Sequence, residues 1–238
     1  MTAHAPFLWL SYLPFLGDLP HQISGAIFVL VLLTALAYFA FRKIPSLPNA
    51  EALIPSERLT TRNLFELISE MILNFLNDII GHRAREFLPL IGTLGLFILF
   101  SNLLGLVPGF LPPTDNLNTT VACALVVFVA THFYGLRAHG VKYIKHFLGP
   151  AWWLAPLMFF IEVISHFARV LSLSMRLFGN IMADHMLLAM TLAAPSILVF
   201  FLPPLSMFLG VFVSLVQTFI FVLLSMVYIS SAIEEAEH

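Results

Sequence analysis

Leu171-Ser172-Leu173-Ser174-Met175-Arg176-Leu177-Phe178-Gly179-Asn180 sets one guanidinium in the middle of an apolar run long enough to cross a bilayer. Arginine keeps its proton at any working pH. At the centre of a membrane helix it costs roughly 2.5 to 3.5 kcal/mol on insertion scales. A residue that expensive marks an intramembrane functional site.

The run around it, residues 152–193, is unbroken except for Pro156. At 1.5 Å per residue it would extend roughly 60 Å as a helix, twice the hydrocarbon thickness, so it must tilt, kink or partly leave the bilayer. A second long apolar stretch, residues 205–233, follows Leu202-Pro203-Pro204. The two are expected to form a tilted antiparallel hairpin. Upstream, residues 23–43, 87–107 and 118–137 read as ordinary transmembrane helices after a 22-residue N-terminal segment, 1–22. Residues 60–82 differ, because Leu64, Leu67, Ile68, Met71, Ile72, Phe75, Leu76 and Ile79 recur at helical spacing against Glu66, Glu70, Asn74 and Asp78. That pattern predicts one amphipathic interfacial helix. The expected fold is all-α, a single polytopic membrane domain over 1–238 with about five transmembrane helices.

Composition agrees: 60% of the 238 residues are hydrophobic and 10% are charged, with 24 Phe, and mean hydropathy is +0.95. A soluble domain carries about 25% charged residues. Residues 1–5 hold no Lys or Arg, so the first apolar stretch reads as a retained helix rather than a cleaved signal. Cys123 sits alone in an apolar stretch and reads as a small buried hydrophobe. Of the 11 Lys and Arg residues, Arg42, Lys43, Arg58, Arg62, Arg83 and Arg85 lie between the first and second apolar spans, and Arg137, Lys142 and Lys145 after the third. By the positive-inside rule these loops are cytoplasmic, the N-terminus and the Pro-rich loop 108–118 lie outside, and the C-terminus is cytoplasmic.

Only Arg169 and Arg176 remain, both within 152–193. Glu162, His166, Arg169, Leu173, Arg176 and Asn180 advance by three or four residues and share one helical stripe. Glu162 lies roughly 21 Å from Arg176 towards the cytoplasm and His185 roughly 13 Å towards the outside, with Asp184 beside it. Polar groups on either side of a fixed cation thus serve opposite membrane surfaces, the layout of two offset aqueous half-channels with an electrostatic barrier between them.

The Ser-Leu-Ser-Met-Arg-Leu-Phe-Gly-Asn core, Glu162 upstream, Gln217 in Ser-Leu-Val-Gln-Thr-Phe-Ile-Phe-Val-Leu-Leu and the terminal Val-Tyr-Ile-Ser-Ser-Ala-Ile-Glu-Glu resemble subunit a of the F-type ATP synthase membrane sector. Asn102-Leu-Leu-Gly-Leu-Val-Pro, Pro112-Pro-Thr-Asp and Asn118-Thr-Thr extend the resemblance to residues 23–235. It implies a proton-translocating stator facing a c-ring whose subunits each carry one membrane carboxylate, with the subunit b peripheral stalk as a further partner. It also implies a bacterial inner-membrane location. Arg176 then corresponds to the family's essential arginine. Glu162 matches the acid of the cytoplasmic half-channel, with His166 one turn away sharing the route. Asn180 and Gln217 match intramembrane amides near the arginine. His185 matches a titratable position of the outer half-channel, with Asp115 and Asp184 as mouth residues. Gly210 stands where many relatives carry a titratable partner for the His185 position, which shifts that relay towards Asp184, Asp115 or water.

Each assignment has a structural competitor. Arg176 pairing with Glu162 or an amide, a local Glu162–His166–Arg169 network, Gln217 as interhelical glue, His185 as a packing residue and Asp115 as a loop cap are the alternatives. Arg169 reads as structural. His132, His139 and His146 recur every seven residues, yet no carboxylate or Cys joins them, so neither a metal nor a cofactor is expected. Catalytic and phosphate-binding motifs are absent, so the chain is expected to be non-catalytic, with nucleotide chemistry in other subunits and no nucleic-acid partner. The competing function is a stand-alone transporter or channel for H+ or Na+, for which repeated halves with broken helices are the usual signature. An intramembrane enzyme is disfavoured because Ser172, Ser174 and His185 are spread around the helix. Copurification with a c-ring separates the stator from both.

Overall fold

The computed structural model describes residues 9–12, 17–42, 61–107, 109–140, 143, 155–192 and 201–234. The proline-bearing stretch 44–55, Lys43, Arg58, Lys142, Lys145, His146 and the turn between the last two helices lie outside them. Six α-helices carry the described fold: α1 (His21–Phe41), α2 (Thr61–Ile80), α3 (Ala84–Leu104), α4 (Leu117–His139), α5 (Ala155–Leu192) and α6 (Leu202–Glu234). Among the described residues five stretches are long and apolar enough to cross a membrane, with α2 and α3 counted as one run.

Local chemistry sets the helix ends. Pro203 and Pro204 lie in the first turn of α6, inside the helix rather than before it. A proline N–H is missing where no intrahelical partner exists, and its φ already suits a helix. α4 is capped by Asn116, whose side chain accepts from the Asn118 backbone N–H at 2.9 Å. The cap falls at Asn116 because an Asn side chain reaches the N–H two positions on.

Two apolar clusters hold the bundle. Ile72 and Leu76 of α2, Phe87 and Ile91 of α3, and Met226 and Ile229 of α6 make one. Ile98 of α3, Cys123 and Val127 of α4, Leu173 and Leu177 of α5, and Phe221 of α6 make the other. The amphipathic α2 presents Ile72 and Leu76 to this core while Glu70, Asn74 and Asp78 stay exposed. Ser230 ties α6 to α2 by donating to the Ile79 carbonyl at 2.9 Å.

Ion pairs mark one end of the bundle. Glu86, at the start of α3, accepts from Arg83 at 3.1 Å and from Arg137, near the end of α4, at 3.2 Å. At the other end the 3-10 turn Pro113–Asp115 packs against α1, α3, α4 and α5. There His21 Nε2 lies 3.1 Å from Asp115 Oδ1. Large apolar side chains cover the outer faces: Phe160, Phe167, Met190, Phe201, Phe208 and Phe212 are all more than half exposed. Each such side chain in water would forgo about 1.5 to 3 kcal/mol, so these faces belong to lipid or to partner helices.

Candidate functional site

The α5–α6 hairpin keeps one register along its length. Arg169 lies over the Tyr228 ring, 5.5 Å from its centroid. Asn180 Nδ2 donates to Gln217 Oε1 at 2.5 Å. The Thr191 and Ser206 hydroxyls lie 3.4 Å apart. These contacts fall at steps of eleven residues on both helices, 169, 180, 191 against 228, 217, 206. Eleven residues make three helical turns at about 3.67 residues each, so the same two faces meet each time.

Within this seam the groups of α5 separate by face. Leu173 and Leu177 are buried at 2% and 0%, whereas Arg176 is exposed. Three residues turn a helix by about −60°, which carries Arg176 off the buried side although Leu173 belongs to the same sequence stripe. Ala168, Ser172, Gly179 and Ala183 share the exposed face with it. A Cβ added to Gly179 would meet nothing within 4 Å. Among the described residues Arg176 has neither an ion pair nor a hydrogen bond.

Glu162 and Asn180, polar groups of the same sequence stripe as Arg176, are engaged elsewhere. Glu162 Oε1 lies 3.1 Å from His166 Nε2, one turn apart on α5. Asn180 is bonded to Gln217, which is 1% exposed. Asp184 and His185 are half-buried near the far end of α5. Asp115 is brought to His21 rather than left as a bare loop residue. Gly210 packs against Leu106, since an added Cβ would come within 2.6 Å of Leu106 Cδ2. Leu106 thus fills the space beside that position.

Three groups that sequence reasoning did not single out join the site. Thr114 donates to Asn102 Oδ1 at 2.8 Å in the interior. Among the described residues Asn102 Nδ2, Ser101 Oγ and Gln217 Nε2 are buried and find no partner. A buried polar group left unpaired costs about 1 to 3 kcal/mol, so such positions favour water. The signal was present: Ser101-Asn102 is a polar pair closing an otherwise apolar helix. His132 of α4 meets His166 edge to face, with ring centroids 4.8 Å apart. Among the described residues no cluster of His, Cys, Asp and Glu has metal-binding geometry.

An all-helical bundle with apolar outer faces, an exposed intramembrane arginine and a buried seam of amides defines a multi-pass membrane protein with an ion-handling interior. The family model for the ATP synthase A chain matches residues 23–230, and the chain belongs to that family. ATP synthase subunit a of Trichlorobacter lovleyi is 50% identical, covering 87% of this chain and 85% of its own. The corresponding subunit of Geotalea daltonii is 55% identical over 73% of this chain and 75% of its own. ATP synthase subunit a 3 of Pelobacter propionicus is 42% identical over 97% and 98%.

Proposed function

We propose that this chain is the proton-translocating stator subunit of an F-type ATP synthase membrane sector, working against a c-ring through the exposed face of α5. The observation that carries the reading is Arg176, a permanent cation on an exposed helix face with no counter-charge among the described residues. A charge so placed needs a carboxylate brought by a partner. Ala168, Ser172, Gly179 and Ala183 around it are small enough for another helix to approach closely.

The chemistry then follows from the guanidinium. At about 4 Å and an effective dielectric of 20, its attraction for an ionised ring carboxylate is about 4 kcal/mol. That is ample to favour ionisation of the passing carboxylate and modest enough for thermal escape. Because arginine neither gives nor takes a proton, it also blocks direct transfer between the two sides. Protons must travel on the ring, and rotation is coupled to flow.

Two routes lead to that cation. Towards the basic end, Glu162 and His166 offer acid–base partners for a cytoplasmic half-channel. Towards the other end, Gln217, Asn180, Asn102, Ser101 and Thr114 form a polar seam below Asp115 and His21, with Asp184 and His185 on α5. This is the proposed outer half-channel. Glu86 joins the two basic segments at one end, and the positive-inside rule makes that end cytoplasmic. The bacterial inner membrane, an outer N-terminus, a cytoplasmic C-terminus, a peripheral stalk of subunit b and a non-catalytic role complete the proposal.

The test is ATP-driven proton uptake, with passive leak, in inverted vesicles carrying wild-type or Arg176→Ala chain in its host complex. Lost pumping by an assembled complex with an altered leak is expected. Normal pumping would make Arg176 structural and remove the barrier role.

A further inference from the structure

We propose that His132 of α4 is a second proton carrier of the cytoplasmic half-channel, in series with Glu162. The inference rests on reading Glu162 and His166 as that half-channel. His132 faces His166 across the α4–α5 contact, ring centroids 4.8 Å apart. Both line a small cleft of about 20 Å³ with Thr131, Arg169, Leu173 and Tyr228. The cleft therefore runs from the two imidazoles to Leu173, about one helical turn from Arg176. Its wall is mostly apolar, but it has room for about one water, and Thr131, His132, His166 and Arg169 supply polar partners for it.

The ring of His132 is held in place. Phe128 lies against it at 4.1 Å and Tyr143, beyond the end of α4, at 6.1 Å. Tyr143 can close over this end of α4 because Gly135 carries no side chain: a Cβ there would lie 2.7 Å from Tyr143 Cε2. His132 Nδ1 lies 2.8 Å from the Phe128 carbonyl oxygen. A carbonyl only accepts, so Nδ1 carries the hydrogen and the free lone pair of the neutral ring sits on Nε2.

The proposed step balances simply. A proton released into the cleft binds Nε2 of neutral His132, the imidazolium passes it to water on the basic side, and the neutral ring is restored. The charged and titratable groups facing this position are His166 and Arg169 of α5, with Glu162 behind His166, Tyr228 of α6, and Tyr143.

The test compares His132→Phe, His132→Ala and Glu162→Gln in complete ATP synthase in inverted vesicles, reading ATP-driven proton uptake with and without added imidazole. His132→Phe, which keeps an aromatic ring, is expected to assemble and pump about tenfold more slowly, as loss of a positioned proton carrier allows. His132→Ala is expected to be slow and to recover with imidazole, which a packing role would not permit. Wild-type pumping by His132→Phe, or a slow His132→Ala that imidazole leaves unchanged, overturns the proposal. Where Glu162→Gln is slow in the same vesicles, those results remove only the carrier role of His132. Normal pumping by Glu162→Gln removes the half-channel reading beneath it.

Discussion

The two halves of the α5–α6 hairpin are built from different chemistry. On the side of Glu162 the polar groups are ionisable and engaged with one another: Glu162 with His166, Arg169 with Tyr228. Beyond Arg176 the contacts are neutral: Asn180 with Gln217, Thr191 with Ser206, and Asn102 with Thr114 across the neighbouring helices. A charge taken out of water costs several kcal/mol unless it is paired, so a charged route must be assembled as fixed partners. Amides and hydroxyls cost less to bury and can hold water in either orientation. One half therefore resembles a relay of titrating side chains, and the other a wettable seam with ionisable groups at its rim and flank. Arg176 separates the two and belongs to neither.

That contrast breaks most completely at the divider. Arg176→Ala is expected to abolish ATP-driven pumping while the complex still assembles, since the side chain bonds to none of the described residues and its loss breaks no contact of the bundle they form. Assembly is read by copurification with the ring, and pumping by acidification of inverted vesicles. Retained pumping would place the barrier elsewhere. The relay half should show the next largest effect. Glu162→Gln keeps the shape and the hydrogen-bonding capacity towards His166 but removes a proton carrier, so pumping should fall about tenfold or more. An unchanged rate would leave Glu162 and His166 as a local ion pair.

How much of this contrast the sequence carries depends on the distance over which each feature is determined. The helices were legible because hydropathy and 3.6-residue spacing are local. So was the oddity of Arg176, since cost depends on depth in an apolar run. Its exposure was less so: the stripe through Leu173 and Arg176 is one face in sequence, but packing divides it within 60° of rotation. His132 shows the limit more sharply. Seven-residue spacing with His139 and His146 invited a metal reading, while the partner that gives it meaning, His166, sits on another helix. His139 itself pairs with the Ile233 carbonyl of α6 and caps the bundle end. Gly210 is similar, because a missing titratable group is visible in sequence but the Leu106 side chain that fills its place is not.

The neutral half is sharpened by the Asn180–Gln217 pair. Gln217→Leu removes the bond to Asn180 together with a buried amide N–H that has no partner among the described residues, whereas Asn180→Leu strands the whole buried Gln217 amide, so the stability cost of Asn180→Leu should exceed that of Gln217→Leu. A double-mutant cycle on proton uptake should show coupling of about 0.5 to 3 kcal/mol, as residues in one hydrogen-bonded pair do. Additive losses would mean that the two amides act on water separately rather than as one gate.

The smallest effect is expected at Arg169, and it tests whether charge alone assigns a residue to the relay. Arg169 stands as deep in the apolar run as its neighbours, yet its guanidinium rests on the Tyr228 ring. A cation over an aromatic face contributes about 0.5 to 2 kcal/mol, which is a packing energy and not a proton path. Arg169→Ala should therefore lower the melting temperature of the assembled complex while pumping falls less than in Glu162→Gln. Tyr228→Leu should produce a similar stability loss, and the double variant little more than either alone. Loss of pumping on the scale of Arg176→Ala, with stability unchanged, would move Arg169 into the barrier and erase the distinction between the one cation left for a partner and the one held within the chain.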